Sequence, residues 1–136
     1  MSIINGDEHK LCFDHDPYTY AIKVFCNRWK PLIIYAIYVD SSTRYSKFLK
    51  NIPITEKVLA NNLKELEKDG LITRTVFYEV PLRVEYSLTD TGRTVCPILD
   101  SIYAWGREEM IRNGIPIDAV GEMWHGYLPM DESFLE

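Results

Sequence analysis

The hydrophobic pattern is clearest in residues 55–69, where leucines recur at helical spacing. Leu59, Leu63 and Leu66 fall on one face of such a helix, and the opposite face is polar. Thr55 can accept hydrogen bonds from the exposed N–H groups of the helix start, and a glycine after the helix can end it. The spacing therefore predicts an amphipathic helix over residues 55–69.

The next part of the chain alternates between apolar and polar positions. Residues 73–78 and 83–88 are rich in β-branched and aromatic side chains, which is typical of strands, and residues 79–82 lie between them as a tip. The aromatic pair Phe77 and Tyr78 is expected to cover the core rather than to stack on the bases of a bound nucleic acid. The pattern predicts a β-hairpin directly after the amphipathic helix, which is the order found in winged-helix domains.

Four further helices are expected. Residues 31–39 are apolar on every side and predict a central buried helix, and Asp16 followed by Pro17 is a typical helix start. The last helix contains Pro97, which should either kink it or mark its start. The predicted helices cover residues 16–26, 31–39, 44–50, 55–69 and about 91–113. We expect one domain at residues 1–113 and an irregular acidic tail at 114–136.

The last predicted helix carries more apolar surface than one small domain can cover. One stripe contains Val95, Leu99, Ile102, Gly106 and Met110, with Ile98 and Trp105 beside it. A second subunit is the simplest cover. The predicted dimer contacts are Leu99, Ile102, Trp105 and Met110.

Length and composition indicate a single compact domain, because 136 residues with 46% hydrophobic content can bury one core but not two. No stretch approaches the roughly 18 apolar residues of a membrane span. The N-terminus lacks the basic and apolar run of a signal peptide, and three widely spaced cysteines suit a reducing compartment. We therefore expect a cytoplasmic protein without membrane contact.

The net charge of −5 is unevenly distributed along the chain. Residues 41–93 contain nine basic and seven acidic side chains, whereas residues 94–136 contain two basic and eight acidic ones. Residues 41–93 can therefore approach a polyanion while the acidic residues 94–136 face away from it.

Several motifs together resemble the HxlR-type family of bacterial and archaeal transcriptional regulators. They are LKELEKDGLI at 63–72, EVP at 79–81, VEYSLT at 84–89 and IYAWG at 102–106, with Cys12 and Trp29. The chain departs from the family in having Cys12-Phe13 for Cys-Pro, Asn27-Arg28 for Gly-Lys, and no glycine in residues 51–54. The resemblance covers residues 12–109 and implies an α+β, mainly helical winged helix-turn-helix with a two-stranded wing. It also implies terminal helices that form a homodimer.

The resemblance further implies that the helix at 55–69 enters the major groove of double-stranded DNA. Asn61 can pair with adenine, and Lys57 and Lys64 can bond guanine or a phosphate. Thr55 and Ala60 complete this face, and their small side chains do not obstruct its approach to the groove. The alternative is an ordinary solvated helix face, which the hairpin and the family motifs disfavour.

Phosphate contacts are assigned to Arg44, at the start of the third helix, and to Arg83, on the wing. A merely solvated arginine explains either residue equally well when it is taken alone. Twofold protein symmetry implies an inverted-repeat operator. Repression is favoured over activation, because occupying a promoter needs no further contact.

Cys12 occupies the position of the family's N-terminal cysteine, which senses oxidants or electrophiles in some members. His15 can lower the pKa of such a thiol, but Asp14 and Asp16 oppose that effect. Cys12 is thus a redox-sensing candidate, with a disulfide to the partner subunit or to Cys96, and the alternative is an inert interface cysteine. The residues do not identify a small-molecule effector.

The spacing His9-x-x-Cys12-x-x-His15 could ligate zinc or copper, but it lacks a second ligand pair. An N-terminal arm lying on the dimer is the favoured interpretation, so no metal or cofactor is predicted. Cys26 and Cys96 are expected to be small core residues. The sequence has no phosphate loop, zinc-protease helix or nucleophile elbow, so no enzyme is predicted. A winged-helix protein-interaction module without DNA affinity is the alternative function, and a small enzyme ranks third.

Overall fold

The computed structural model describes residues 15–131, which form six helices and one small antiparallel sheet. The helices are α1 (Pro17–Phe25), α2 (Lys30–Asp40), α3 (Tyr45–Asn51), α4 (Glu56–Lys68), α5 (Asp90–Arg112) and α6 (Ala119–Trp124). The strands are β1 (Thr43–Arg44), β2 (Ile72–Phe77) and β3 (Arg83–Leu88). The predicted mainly helical α+β winged helix-turn-helix is confirmed.

Helix α2 lies at the centre of the core, as its all-round apolar sequence predicts. Ile33, Ile34 and Ile37 have no exposed surface. The helix packs on α5, α6, β1 and β3, and only Leu32 and Tyr38 among its large apolar side chains are exposed. An isolated helix of this composition would be insoluble, and the surrounding layers are what its sequence requires.

The sheet has the order β1-β3-β2, so the expected two-stranded hairpin gains a third strand. Thr43 pairs with Tyr86 and Arg44 with Glu85. The expectation that Arg44 is helical is wrong, because it lies on β1 and caps α3. Two residues are too short for alternation to be visible, and the buried side chain of Thr43 anchors the strand.

Helix α5 begins at Asp90, and the Thr89 hydroxyl accepts a hydrogen bond from the Gly92 N–H at 3.0 Å. Pro97 lies inside this helix and does not mark its start. Gly92 is required here, because a Cβ at this position would lie 2.1 Å from the Leu71 carbonyl oxygen. The start of α5 is therefore pressed against the turn that follows α4.

The C-terminal segment, residues 114–131, is not irregular throughout. Helix α6 interrupts it, and Trp124 reaches the core with 9% of its surface exposed. The prediction of an irregular tail is wrong for this helix, because six residues are too few to show a helical period. Gly121 allows the close packing: a Cβ there would lie 2.9 Å from the Tyr103 hydroxyl.

Candidate nucleic-acid interface

The apolar side of α4 fixes its orientation on the core. Leu59, Leu63 and Leu66 are each at most 2% exposed, as the spacing predicts. Thr55 is the N-cap, and its hydroxyl accepts from the Val58 N–H at 3.4 Å. The opposite side of the helix therefore faces solvent.

Lys57, Asn61 and Lys64 lie on that solvent face and are exposed. None of the three side chains makes a hydrogen bond or an ion pair with another side chain among residues 15–131. Ala60 is half-buried between them. The face thus presents two ammonium groups and one amide whose hydrogen-bonding capacity is unused.

The buried side chains of Asn62 and Lys30 tie the back of α4 to α2 and to the loop before it. The Asn27 amide donates to Asn62 Oδ1 at 2.8 Å, while Asn27 Oδ1 accepts from the Lys30 N–H at 2.7 Å. Lys30 is 2% exposed, and its Nζ donates to Glu65 Oε1 at 3.1 Å and to the Lys23 carbonyl at 3.0 Å. Asn27 thus uses both ends of its side chain to join α4 to α2.

Arg74 on β2 was not singled out from the sequence. It is exposed and lines a cavity of about 370 Å³ together with Ala60, Lys64 and Glu67 of α4. Arg74 comes two residues after buried Ile72, so it is on the sheet face that packs on α4. The alternation of side chains along β2 could have placed Arg74 on this face from the sequence.

Arg83 on β3 is already engaged within the wing. Its Nε donates to Glu79 Oε1 at 2.8 Å, a second nitrogen donates to Glu85, and the guanidinium lies 3.8 Å from the centroid of the Phe77 ring. Two carboxylates therefore neutralise this cation. This geometry argues against the assignment of Arg83 to phosphate contact.

Arg44, at the start of α3, and Tyr78, in the wing, are exposed. Arg44 lines a small cavity with Ser42, Lys47 and Glu85. Tyr78 is 90% exposed at the wing tip, so the prediction that it covers the core is wrong. A hairpin tip projects beyond the core, and alternation does not show where the projection begins.

The apolar surface of helix α5 differs in part from the one expected, because only some of the predicted dimer contacts are exposed. Leu99 is 4% exposed and belongs to the core of its own protomer, so its assignment to a dimer contact is wrong. Met110 is half-buried beside Tyr103. Ile98, Ile102 and Trp105 remain 47%, 49% and 71% exposed at helical spacing. We call Ile98, Ile102 and Trp105 the exposed α5 stripe.

Helix α1 also has an uncovered apolar side. It has no buried residue, and Tyr18 and Ile22 on one face are 79% and 59% exposed. Its predicted start is confirmed, since Asp16 Oδ2 accepts from the Thr19 N–H at 3.1 Å. Two separate apolar surfaces, on α1 and on α5, therefore remain without a partner in the described part of one protomer.

A cluster of paired polar and aromatic side chains holds the C-terminal segment. The His125 ring stacks between Tyr35 and Tyr103, with centroid distances of 3.9 and 3.8 Å. His125 Nδ1 lies 2.9 Å from Asp100 Oδ1, which also accepts from the Tyr35 hydroxyl at 2.5 Å. We call this group, together with Glu122 and Arg107, the C-terminal clamp.

The second half of the clamp is an ion pair. The Tyr103 hydroxyl donates to Glu122 Oε2 at 2.7 Å, and Arg107 Nε donates to both carboxylate oxygens at 2.9 and 3.0 Å. Burial alone would raise the pKa of Glu122, but these two donors outweigh it and lower that pKa. Burial lowers the pKa of His125, and the hydrogen bond to Asp100 only partly opposes this. The resting clamp therefore contains carboxylate and neutral imidazole at neutral pH.

The cysteine and metal hypotheses can be followed only in part, because His9, Cys12 and Asp14 lie outside the described residues. Cys96 is 3% exposed, which confirms it as a core residue, and burial raises the pKa of its thiol. A disulfide to Cys96 would require the core to open. Cys26 is only half-buried. Within residues 15–131 no three His, Cys, Asp or Glu side chains gather closely enough to hold a metal ion.

Comparison with known proteins identifies the fold's family. A model described as HxlR-like helix-turn-helix matches residues 24–113. The chain belongs to this HxlR-like family. It is 41% identical over 103 residues to an uncharacterized HTH-type transcriptional regulator of Methanothermobacter thermautotrophicus, covering 75% of each chain. This HxlR-like protein is thus a transcriptional regulator with a helix-turn-helix.

Two solved structures of other proteins are also similar to it. The oxidized form of the redox regulator HypR is 38% identical, with a TM-score of 0.64 over 68% of this chain and 95% of HypR. Diamide-treated YodB from B. subtilis is 33% identical, with a TM-score of 0.59 over 68% of this chain and 92% of YodB. The C-terminal segment lies beyond the matched residues 24–113. Among residues 15–131, every helix is too short or too polar to cross a membrane.

Proposed function

We propose that this HxlR-like chain is a homodimeric, sequence-specific DNA-binding repressor. Helix α4 enters the major groove, and the wing lies along the backbone. The observation that carries this proposal is the solvent face of α4, where Lys57, Asn61 and Lys64 have no competing partner among the described residues. Amide and ammonium groups without a partner inside the protein are available to bases and phosphates.

Base and phosphate contacts are divided between the helix and its flanks. Asn61 and Lys57 contact base edges, since amide and ammonium groups match adenine and guanine in the major groove. Arg44 and Arg74 contact phosphates on either side, because both are exposed and neither is ion-paired within residues 15–131. Arg83 keeps the wing in shape through Glu79 and Glu85.

The dimer is built from the apolar surfaces that one protomer leaves uncovered. The exposed α5 stripe and the Tyr18 and Ile22 face of α1 meet their counterparts across a twofold axis. Isolated exposed apolar residues are ordinary, but three aligned on one helix indicate an interface. Twofold symmetry then places two α4 helices on an inverted repeat with half-sites about 34 to 36 Å apart.

Oxidants act through Cys12 in this proposal. The similarity to the redox regulator HypR supports this role of Cys12. Cys96 is expected to react poorly with oxidants, because its thiol is buried and protonated. Oxidant treatment should change the affinity of the native protein for DNA and leave Cys12→Ser unaffected. Equal responses of the two proteins would exclude Cys12 as the switch.

Selection of bound sequences from random duplex DNA with the purified full chain tests the function. The expected result is an inverted repeat, with sizing and light scattering reporting a dimer. A protein that is monomeric at micromolar concentration and binds no duplex at low salt would contradict the proposal. That result would favour the protein-interaction module instead.

A further inference from the structure

A cavity of about 610 Å³ lies between the C-terminal segment and the turn that joins α3 to α4. Its size falls within the roughly 300 to 1,000 Å³ of small-molecule sites. The walls are mostly apolar and aromatic. They include Trp29, Ile52, Pro53, Tyr103, Val120 and Trp124.

One wall of this cavity is specific to the C-terminal segment. Residues 117–121 and Trp124 form it, and they lie beyond the matched residues 24–113. The C-terminal clamp fixes this wall, because Glu122 is bonded to Tyr103 and Arg107 of α5. The cavity is therefore bounded on this side by a segment that hydrogen bonds hold to α5 and that lies outside the residues matched by the family model.

The charged side chains of the cavity are Arg28 and Asp118, and both are exposed. The Arg28 guanidinium lies 4.6 Å from the centroid of the Trp29 ring and has no carboxylate partner within residues 15–131. Asp118 precedes α6 and makes no capping hydrogen bond. The lining thus combines an apolar interior with one arginine whose charge is not neutralised.

We propose that this cavity binds a small aromatic carboxylate. The ring lies against Trp29 and Trp124, where planar apolar surfaces match it, and the carboxylate pairs with Arg28. The charged end must remain at the rim, because an unpaired charge inside the apolar part would be strongly disfavoured. Asp118 weakens the anion's binding and so restricts the site to ligands with a single negative charge.

A ligand in the cavity would affect the DNA-binding surface through Ile52 and Pro53. These residues line the cavity and lead directly into α4, whose N-cap is Thr55. A ring wedged against this turn changes the position of α4, and the affinity for DNA with it. This coupling rests on the proposed DNA-binding function, whereas the binding of the carboxylate does not.

Calorimetric titration of the full-length protein with 2-naphthoate tests the site. Arg28→Ala should weaken binding about tenfold because a charge-assisted hydrogen bond is removed, and Asp118→Asn should strengthen it. Arg93→Ala, an exposed arginine that does not line the cavity, should bind like the native chain. The uncharged analogue 2-naphthamide should bind more weakly than 2-naphthoate.

A second variant tests the cavity without touching its charges. Ala119→Trp places an indole at an exposed lining position and should abolish binding while thermal unfolding stays unchanged. Absence of saturable binding to the native chain, or binding that Arg28→Ala and Ala119→Trp both leave intact, would overturn the site.

The coupling is measured separately, by operator affinity with and without saturating 2-naphthoate. We expect a change for the native chain and none for Ala119→Trp. A native chain that binds 2-naphthoate but keeps its operator affinity would overturn the coupling alone. If the native chain binds no DNA at all, the proposed function fails, and calorimetry still decides the site.

Discussion

The polar side chains of the C-terminal clamp have hydrogen-bond partners among the described residues, whereas those on the solvent face of α4 do not. In the clamp, Glu122 accepts from two donors and His125 is stacked and hydrogen-bonded. On α4, Lys57 and Asn61 make no hydrogen bond or ion pair with another side chain in the described part of the chain. Polar groups that are engaged stabilise the protomer, whereas groups left unengaged remain available to a partner. Substitutions in the two regions should therefore change different measurements.

The largest effect on stability is expected from Trp124→Ala. This change removes the main apolar anchor of α6, so the free energy of unfolding should fall by about 3 kcal/mol. Tyr78→Ala, which removes a side chain 90% exposed, should change it by less than about 0.5 kcal/mol. Denaturant unfolding measures both. Equal losses would mean that the C-terminal segment does not belong to the folded core.

Two adjacent asparagines provide the sharpest test of the comparison. Asn61→Ala should cost about 1 to 3 kcal/mol in operator binding by relaxing base preference at one position per half-site, with stability unchanged. Asn62→Ala should instead lower stability by about 1 to 3 kcal/mol, because the Asn27 amide loses its acceptor in a part-buried site. Binding titrations and denaturant unfolding separate the two variants, and similar behaviour of both would refute the division.

A smaller difference is expected between the effects of Arg74 and Arg83 on the salt dependence of DNA binding. Arg74→Ala should flatten the salt dependence of DNA binding by about one unit, because the DNA then has one fewer cation on its phosphates. Arg83→Ala should change that slope less, because Glu79 and Glu85 already neutralise its charge. Titrations at several salt concentrations measure the slopes. The reverse order would show that Arg83 leaves its carboxylates when DNA binds.

The smallest effect is expected from pH. Burial lowers the pKa of His125 in the folded state, so the unfolded chain binds its proton at higher pH. Stability should therefore decrease as pH falls from about 7 to about 5, through the ordinary histidine range. His125→Phe, which keeps a ring between Tyr35 and Tyr103, should reduce this dependence. A His125→Phe variant that keeps the full pH dependence would show that another group causes it.

Long-period features of the fold could be predicted from the sequence. The leucines of α4 repeat over several turns and α2 is apolar over its whole length, and the structure buries the leucines and most of α2 as expected. Strand β1 and helix α6 are too short to show a period. Their positions depend on contacts across the chain, such as Thr43 with Tyr86 and Gly121 against Tyr103.

The candidate site was predicted less completely than the fold. The exposure of Lys57, Asn61 and Lys64 follows from helical spacing. Arg83 could not be distinguished from Arg74 in this way, because the engagement of Arg83 depends on carboxylates that only the folded hairpin brings together. Leu99 was assigned to the partner for a similar reason: spacing shows that a face is apolar and does not show which neighbour covers it.

The attachment of α4 to α2 has a mechanical consequence for the proposed DNA complex. Because Lys30 and Asn27 hold the back of α4 through Glu65 and Asn62, the helix moves together with α2 as long as no ligand in the cavity displaces it. With the cavity empty, a dimer of this kind has no means of reorienting one recognition helix to follow a displaced half-site. One base pair added to the spacer, which turns a half-site by roughly 35°, must then be absorbed by untwisting the DNA. The base pairs between the half-sites would be selected by their torsional stiffness, although no side chain touches them.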